Sequence, residues 1–87
     1  MKLSANFLTH VTRGEHYMIP ASDASFSGIV KNNETAAFIV DCLKSDTTAS
    51  AIVDRILDEY DGVDRQTVER DVAGILDKLR TIGALDE

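Results

Sequence analysis

Three helix starts, each marked by a side chain suited to capping, constrain this chain more than any other feature. Asn33, then Thr47 or Thr48, then Asp64 each stand before an apolar-periodic run. There a side-chain oxygen can accept from the free amide groups of a first helical turn. Glu34 follows Asn33 in that first turn, where a carboxylate complements the helix dipole. The pattern predicts helix one from Glu34 to about Lys44. Ala36, Ile39, Val40 and Leu43 lie on one face and Phe38 and Cys42 on the other. A helix apolar nearly all round is one buried between layers, so helix one is expected at the centre of the fold. Helix two, about Ala49 to Tyr60, carries Ala49, Ile52, Val53, Ile56, Leu57 and Tyr60 at i, i+3, i+4 spacing. Asp54, Arg55, Asp58 and Glu59 form its wet face, and Gly62 stops it. Helix three is expected from about Arg65 to Ile82, ended by Gly83. Val68, Val72, Ile75, Leu79 and Ile82 share its inward stripe, with Leu76 flanking it and Leu85 placed for the apolar contact that follows such a stop.

The residues before Asn33 read differently. Phe7 to Thr12 alternates as a half-buried strand does, and Arg13-Gly14-Glu15 is a turn in which Gly14 supplies the positive φ. His16 to Ile19 is a second strand, ended by Pro20, which has no amide proton for a ladder. Ala21 to Ser25 is a small polar loop. Phe26 to Lys31 is a third strand, with Gly28 as a bulge or point of close approach. A small antiparallel meander followed by three helices is an α+β domain. Its last two helices, separated by Asp61-Gly62-Val63-Asp64, resemble a helix-turn-helix pair, giving a winged helix-turn-helix-like outline.

With 87 residues, this is a single domain spanning the whole chain. A chain so short buries roughly 60% of the surface its unfolded form exposes, enough to fold alone. The charged share of 28% against 44% hydrophobic residues is that of a globular protein, not of a disordered one. A net charge of −6 repels nucleic acid and anionic membrane in general. The first residues, Met1 to Leu8, lack the apolar core of about 7–15 residues that a signal peptide needs. No apolar run approaches the ~20 residues of a membrane span. The expectation is a soluble cytoplasmic protein with no membrane partner.

Little in the sequence points to catalysis. One cysteine, Cys42, cannot build a disulfide framework or a zinc quartet, and its place on the central helix reads as a small buried hydrophobe. Two histidines, His10 and His16, would need further ligands brought by the fold to hold a metal. The carboxylates Asp54, Asp58, Glu59 and Asp61 cluster near the end of helix two as a solvated face, without the burial that separates the pKa values of a catalytic pair. No phosphate-cradling glycine motif is present. Gly74 lies inside helix three, where glycine costs about 1 kcal/mol relative to alanine. It is either a tolerated surface position or one that something approaches closely. The expectation is a non-enzyme without cofactor or metal.

Taken in order, Asn33-Glu34-Thr35-Ala36, Ile39 and Leu43, then Ile52-Val53 and Glu59-Tyr60, then Asp71-Val72, Ile75-Leu76, Leu79 and Gly83-Ala84-Leu85 resemble the PqqD-like proteins. These are also called RiPP recognition elements, a RiPP being a ribosomally made, post-translationally modified peptide. Arg13-Gly14-Glu15 and Ile19-Pro20 match in outline. The resemblance implies three antiparallel strands followed by three helices. It implies a module that binds the leader segment of a precursor peptide by adding it as a strand beside the third strand and against the third helix. Carried onto this chain, the peptide-binding residues are Phe26, Ser27, Gly28, Ile29, Val30 and Lys31 on the strand, with Asp71, Val72, Ile75, Leu76 and Leu79 on the helix. The partners it implies are the precursor peptide and a modifying enzyme, commonly a radical S-adenosylmethionine (radical SAM) protein. The work is delivery in natural product biosynthesis, as a peptide chaperone.

One position and one segment depart from the family's pattern. Asn32 stands where an apolar residue usually precedes the matching Asn33. The strand segment also lacks the proline- and arginine-marked pattern of members dedicated to pyrroloquinoline quinone, so the peptide class stays open. The residues support the binding mode independently: an edge strand with a single charge and no proline is open to pairing, and a peptide adding there gains main-chain hydrogen bonds. A winged-helix DNA-binding regulator is the alternative. It would need helix three to present base- and phosphate-reading groups, yet Arg65, Arg70, Lys78 and Arg80 are nearly matched by Glu69, Asp71 and Asp77. An acyl-carrier-like protein would need a serine after an aspartate at a helix start. Asp23-Ala24-Ser25 has the wrong spacing and Ser45-Asp46 the wrong order.

Overall fold

The computed structural model describes residues 1–21 and 28–87. In chain order the elements are β1 (Lys2–Leu3), β2 (Phe7–Thr12), β3 (Glu15–Pro20), β4 (Val30–Asn32), α1 (Glu34–Cys42), α2 (Ala49–Glu59), α3 (Arg65–Thr81) and β5 (Leu85–Asp86). Three antiparallel strands in the order β2-β3-β4 precede the three helices, and β1 pairs with β5 in a separate two-stranded ribbon. The class is α+β.

The β2–β3 hairpin follows from its turn. Arg13 and Gly14 both have positive φ, 52° and 76°, as the two-residue type I′ turn requires. Across it Thr12 faces Glu15, and the register runs on to Phe7 opposite Pro20. Met18 is fully buried and Phe7 nearly so. Side chains alternate across a strand, so Phe7, Met18 and their cross-strand neighbours Pro20 and Thr9 form the inner face. Beyond Phe7, β2 is exposed along its whole length, so the far end of the hairpin overhangs the core.

The three caps act as their residue types dictate. Asn33 Oδ1 accepts from the Ala36 amide at 2.8 Å, Thr48 Oγ1 from Ala51 at 3.1 Å and Asp64 Oδ2 from Thr67 at 3.1 Å. Helices α1, α2 and α3 end one or two residues earlier than the apolar pattern suggested, within the fraying that helix ends show. The C-terminus of α3 is closed by two bonds, Gly83 N–H to the Arg80 carbonyl and Ala84 N–H to the Leu79 carbonyl. This Schellman pattern needs a left-handed residue, and Gly83 supplies it with φ 76°. Ala84 is thereby fully buried, while Leu85 packs against the core from β5.

The core gathers Phe7 and Met18 from the sheet, Ile39, Val40, Cys42 and Leu43 from α1 and its cap, Ile52, Val53 and Ile56 from α2, and Val68, Val72, Leu76 and Leu79 from α3. Cys42 is buried as expected, at 2% exposure. Removal from water raises its thiol pKa above the ordinary value, with the Arg55 cation acting weakly the other way. None of the described helices is long and apolar enough to cross a membrane.

Two expectations are corrected. The sequence pattern puts the third strand at Phe26 to Lys31. Among described residues it is Val30–Asn32: Gly28 is a bend with φ 116° and Ile29 lies outside any strand. Phe26 and Ser27, and most of the loop expected between Ala21 and Ser25, lie outside the described residues. The sequence pattern puts Leu76 beside the inward stripe of α3 and Ile75 on it. The structure reverses them: Leu76 is 2% exposed and Ile75 is half-buried.

Candidate functional site

The edge formed by β4 can be built from the hydrogen-bond alternation of the sheet. Ala21 N–H donates to the Asn6 carbonyl at 2.7 Å, which makes the adjacent Phe7–Pro20 pair a non-hydrogen-bonded one. Pairs alternate along an antiparallel ladder. The hydrogen-bonded pairs of the hairpin are therefore Leu8–Ile19, His10–Tyr17 and Thr12–Glu15. That leaves His16 and Met18 with their main-chain groups turned toward β4, where they face Asn32 and Val30. Val30 and Asn32 bond inward to β3. Lys31, opposite Tyr17, turns its N–H and C=O away from β3 to the open edge.

The lysine side chain does not guard that edge. Lys31 Nζ lies 2.9 Å from Glu15 Oε2. The hydrogen bond and charge of that carboxylate raise the ammonium's pKa above its ordinary value. Glu15 and Lys31 share the outer face of the sheet, so the pair draws the ammonium across β3, away from the side where a further strand would add.

On α3, the residues expected to bind peptide divide into two groups. Val72, Leu76 and Leu79 are 1%, 2% and 4% exposed and belong to the core. Asp71 is exposed and Ile75 half-buried. One turn further on, Lys78 is exposed and Ile82 half-buried. The accessible stripe of the helix is thus Asp71, Ile75, Lys78 and Ile82, adjoining the buried one.

A cavity of about 150 Å³ lies where α1, the end of α2 and the start of α3 meet. Phe38, Ile56, Tyr60, Val63 and Val68 line it together with two exposed polar residues, Thr35 and Asp71. Phe38 and Tyr60 pack edge to face with centroids 5.6 Å apart, and Arg55 stacks over the Phe38 ring at 5.7 Å. Of these, Asp71 alone was expected from the sequence. Val63 sits in the link between α2 and α3 and Thr35 on a helix surface, positions that carry no periodic signal.

Other chemistry is not assembled. His10 faces Tyr17 and His16 faces Val11, so the two histidines point to opposite faces of the sheet and cannot share a metal. No cluster of three or more metal-ligating side chains occurs among the described residues. The basic groups of α3 that a nucleic acid would need are partly engaged: Arg65 pairs with Asp54, and Arg80 with Asp77 and Glu87.

This arrangement is a three-stranded sheet with β4 at its edge, ahead of three capped helices. The chain belongs to the PqqD family, whose model, described as coenzyme PQQ synthesis protein D, matches residues 15–85. Among solved structures, the chain is similar to TbiB1 in complex with the TbiA(beta) leader peptide. The identity is 27%, covering 99% of this chain and 100% of that one, with a TM-score of 0.78. A second, lasso peptide synthetase B1 complexed with the leader peptide, shares the fold at 23% identity over 95% and 93% of the two chains, with a TM-score of 0.77. No curated protein sequence matches.

Proposed function

We propose that this chain binds the leader segment of a ribosomally made precursor peptide and presents it to a modifying enzyme, commonly a radical SAM protein, without changing the peptide covalently itself. The leader adds as a strand on the outer edge of β4, and its side chains reach the accessible stripe of α3 at Asp71 and Ile75. Val72, Leu76 and Leu79 support that stripe from beneath. On this reading the work is done in the cytoplasm, where precursors are translated.

The observation that carries the reading is the outward-facing N–H and C=O of Lys31, on an edge whose lysine is held elsewhere by Glu15. Strand addition uses such groups for affinity and flanking side chains for specificity. Membership of the PqqD family and the likeness to TbiB1, solved with a leader peptide, support the same ligand class.

The test is calorimetry against synthetic leader segments of candidate precursor peptides, the TbiA(beta) leader among them, run at several temperatures. Burial of apolar side chains against α3 gives a negative heat-capacity change. Absence of binding, or a heat-capacity change near zero, would sink the proposal.

A further inference from the structure

The sheet has a second edge, at β2, on the far side of β3 from the proposed leader site. No strand lies beyond β2 in the described sheet. The hydrogen-bonded pairs of the hairpin are Leu8–Ile19, His10–Tyr17 and Thr12–Glu15, so Thr9 and Val11 turn their N–H and C=O groups outward. β2 is six residues long and exposed from Leu8 to Thr12. It contains no proline and, in a chain of net charge −6, no Asp, Glu, Lys or Arg. A long edge without charge or proline is a template for another strand. Two large exposed apolar side chains also stand on it, Leu8 at 63% and Val11 at 59%. The sequence of β2 itself points to the occupant. Set antiparallel to itself about His10, β2 places Thr9 opposite Val11 of a second copy and Leu8 opposite its Thr12. Each exposed apolar side chain then meets a threonine, both outward residues fall in hydrogen-bonded pairs, and no like charges are opposed. Centring the pairing on Thr9 would match Val11 with Phe7, whose amide is bonded to the Ser4 carbonyl. Centring it on Val11 would match Thr9 with Arg13, which lies in the turn.

We propose that the β2 edge pairs with the β2 edge of a second copy of this chain, in a two-fold dimer whose continuous sheet takes three strands from each copy. Thr9 and Val11 of one copy exchange main-chain hydrogen bonds with Val11 and Thr9 of the other. Both helical layers lie on the same face of the joined sheet, and the β4 edges lie at its two far ends. An edge contact six residues long belongs with the small, transient interfaces below roughly 1,200 Å², so the association is reversible and depends on concentration. Because β3 separates the two edges, the dimer does not rest on leader binding.

Sedimentation equilibrium and backbone amide shifts are followed as the full chain is concentrated from the micromolar to the millimolar range. The mean mass should rise from one chain toward two, with the Thr9 and Val11 amides shifting and Lys31 unmoved. His10, exposed at the centre of the junction, carries the decisive variants. His10→Lys and His10→Glu each set like charges opposite one another, so each should stay monomeric and keep the parent's melting temperature. Mixed one to one, the two should dimerise at least as tightly as the parent, since opposite charges then meet. Thr9→Pro removes an outward amide without touching the pairing with β3, and should give a folded monomer. A single-chain mass at every concentration, self-association that both His10 variants leave intact, a mixture that stays monomeric, or concentration-dependent shifts confined to other surfaces would overturn the proposal. A peptide at this edge would overturn it too: if the TbiA(beta) leader moves Thr9 and Val11 of a monomeric chain and leaves Lys31 unmoved, the β2 edge takes a peptide and not a copy.

Discussion

Tyr17 and Lys31 face each other across β3 and β4 at a pair that exchanges no main-chain hydrogen bonds, and this places the Lys31 amide on the outside of the sheet. Val30, one residue earlier, points its amide inward. Proline removes the amide proton and obstructs the ladder on its own side only. Val30→Pro should therefore break pairing with Met18 and strongly lower the melting temperature. Lys31→Pro should leave a folded domain that binds leader poorly, because the outward hydrogen bond is lost and an added strand is obstructed. Such a bond is worth about 0.5–1.5 kcal/mol net. Lys31→Ala controls for the ion pair with Glu15. If Lys31→Pro is folded and binds leader as tightly as Lys31→Ala, peptide does not add at β4.

Leu76 and Ile75 are adjacent on α3 and should behave oppositely. Leu76 is in the core at 2% exposure, so Leu76→Ala should cost about 2–5 kcal/mol of stability. Ile75 is half-buried on the accessible stripe, so Ile75→Ala should lower stability less and leader affinity more. Denaturant unfolding and calorimetry on both variants decide it. A larger stability loss in Ile75→Ala than in Leu76→Ala would contradict the orientation of α3.

Which of these features was legible in the sequence depends on how local its cause is. The caps at Asn33, Thr48 and Asp64 are bonds across three residues, and the Gly14 and Gly83 conformations are set within single turns, so all could be read from residue type. The start of β4 could not. Continuing the observed register, Pro20 would face Gly28, and Pro20 has no amide proton to give on the side facing β4. The ladder therefore begins at the Met18–Val30 pair, although Ile29 is apolar and β-branched. The order of Ile75 and Leu76 was likewise open, since both lie within one residue of the stripe through Val68, Val72 and Leu79. Packing against other elements chooses between them. The β1–β5 ribbon is two residues long on each side, too short to show any periodicity. Of the candidate site, the strand edge and Asp71 were visible, whereas the cavity depends on three helices meeting.

Cys42 should be a silent thiol. Its burial raises its pKa above the ordinary 9.0, so the folded chain keeps the proton that the unfolded chain releases. A raised pKa of this kind leaves stability unchanged below about pH 9 and lowers it as pH climbs from there through the folded value. The native protein should react slowly with a disulfide reagent at neutral pH, and at full rate in denaturant. Cys42→Ala should show a flatter fall in stability above pH 9. Rapid modification of the native chain would mean that Cys42 is reachable from solvent.

Gly74 lies on the exposed side of α3, one turn from both Asp71 and Lys78, and among the described residues a Cβ built there meets no atom within 4 Å beyond its chain neighbours and the backbone of its own helix turn. Nothing among the described residues requires a glycine at this point. Glycine inside a helix is about 0.5–1 kcal/mol less favourable than alanine. Gly74→Ala should therefore raise stability by about that amount, seen as a higher denaturant midpoint with an unchanged slope. If the leader rests on Ile75 and the edge of β4, as proposed, leader affinity should be unchanged in this variant. A stabilised variant that has lost affinity would show that the peptide backbone passes directly over Gly74. The bound path would then have to be redrawn across that face of the helix.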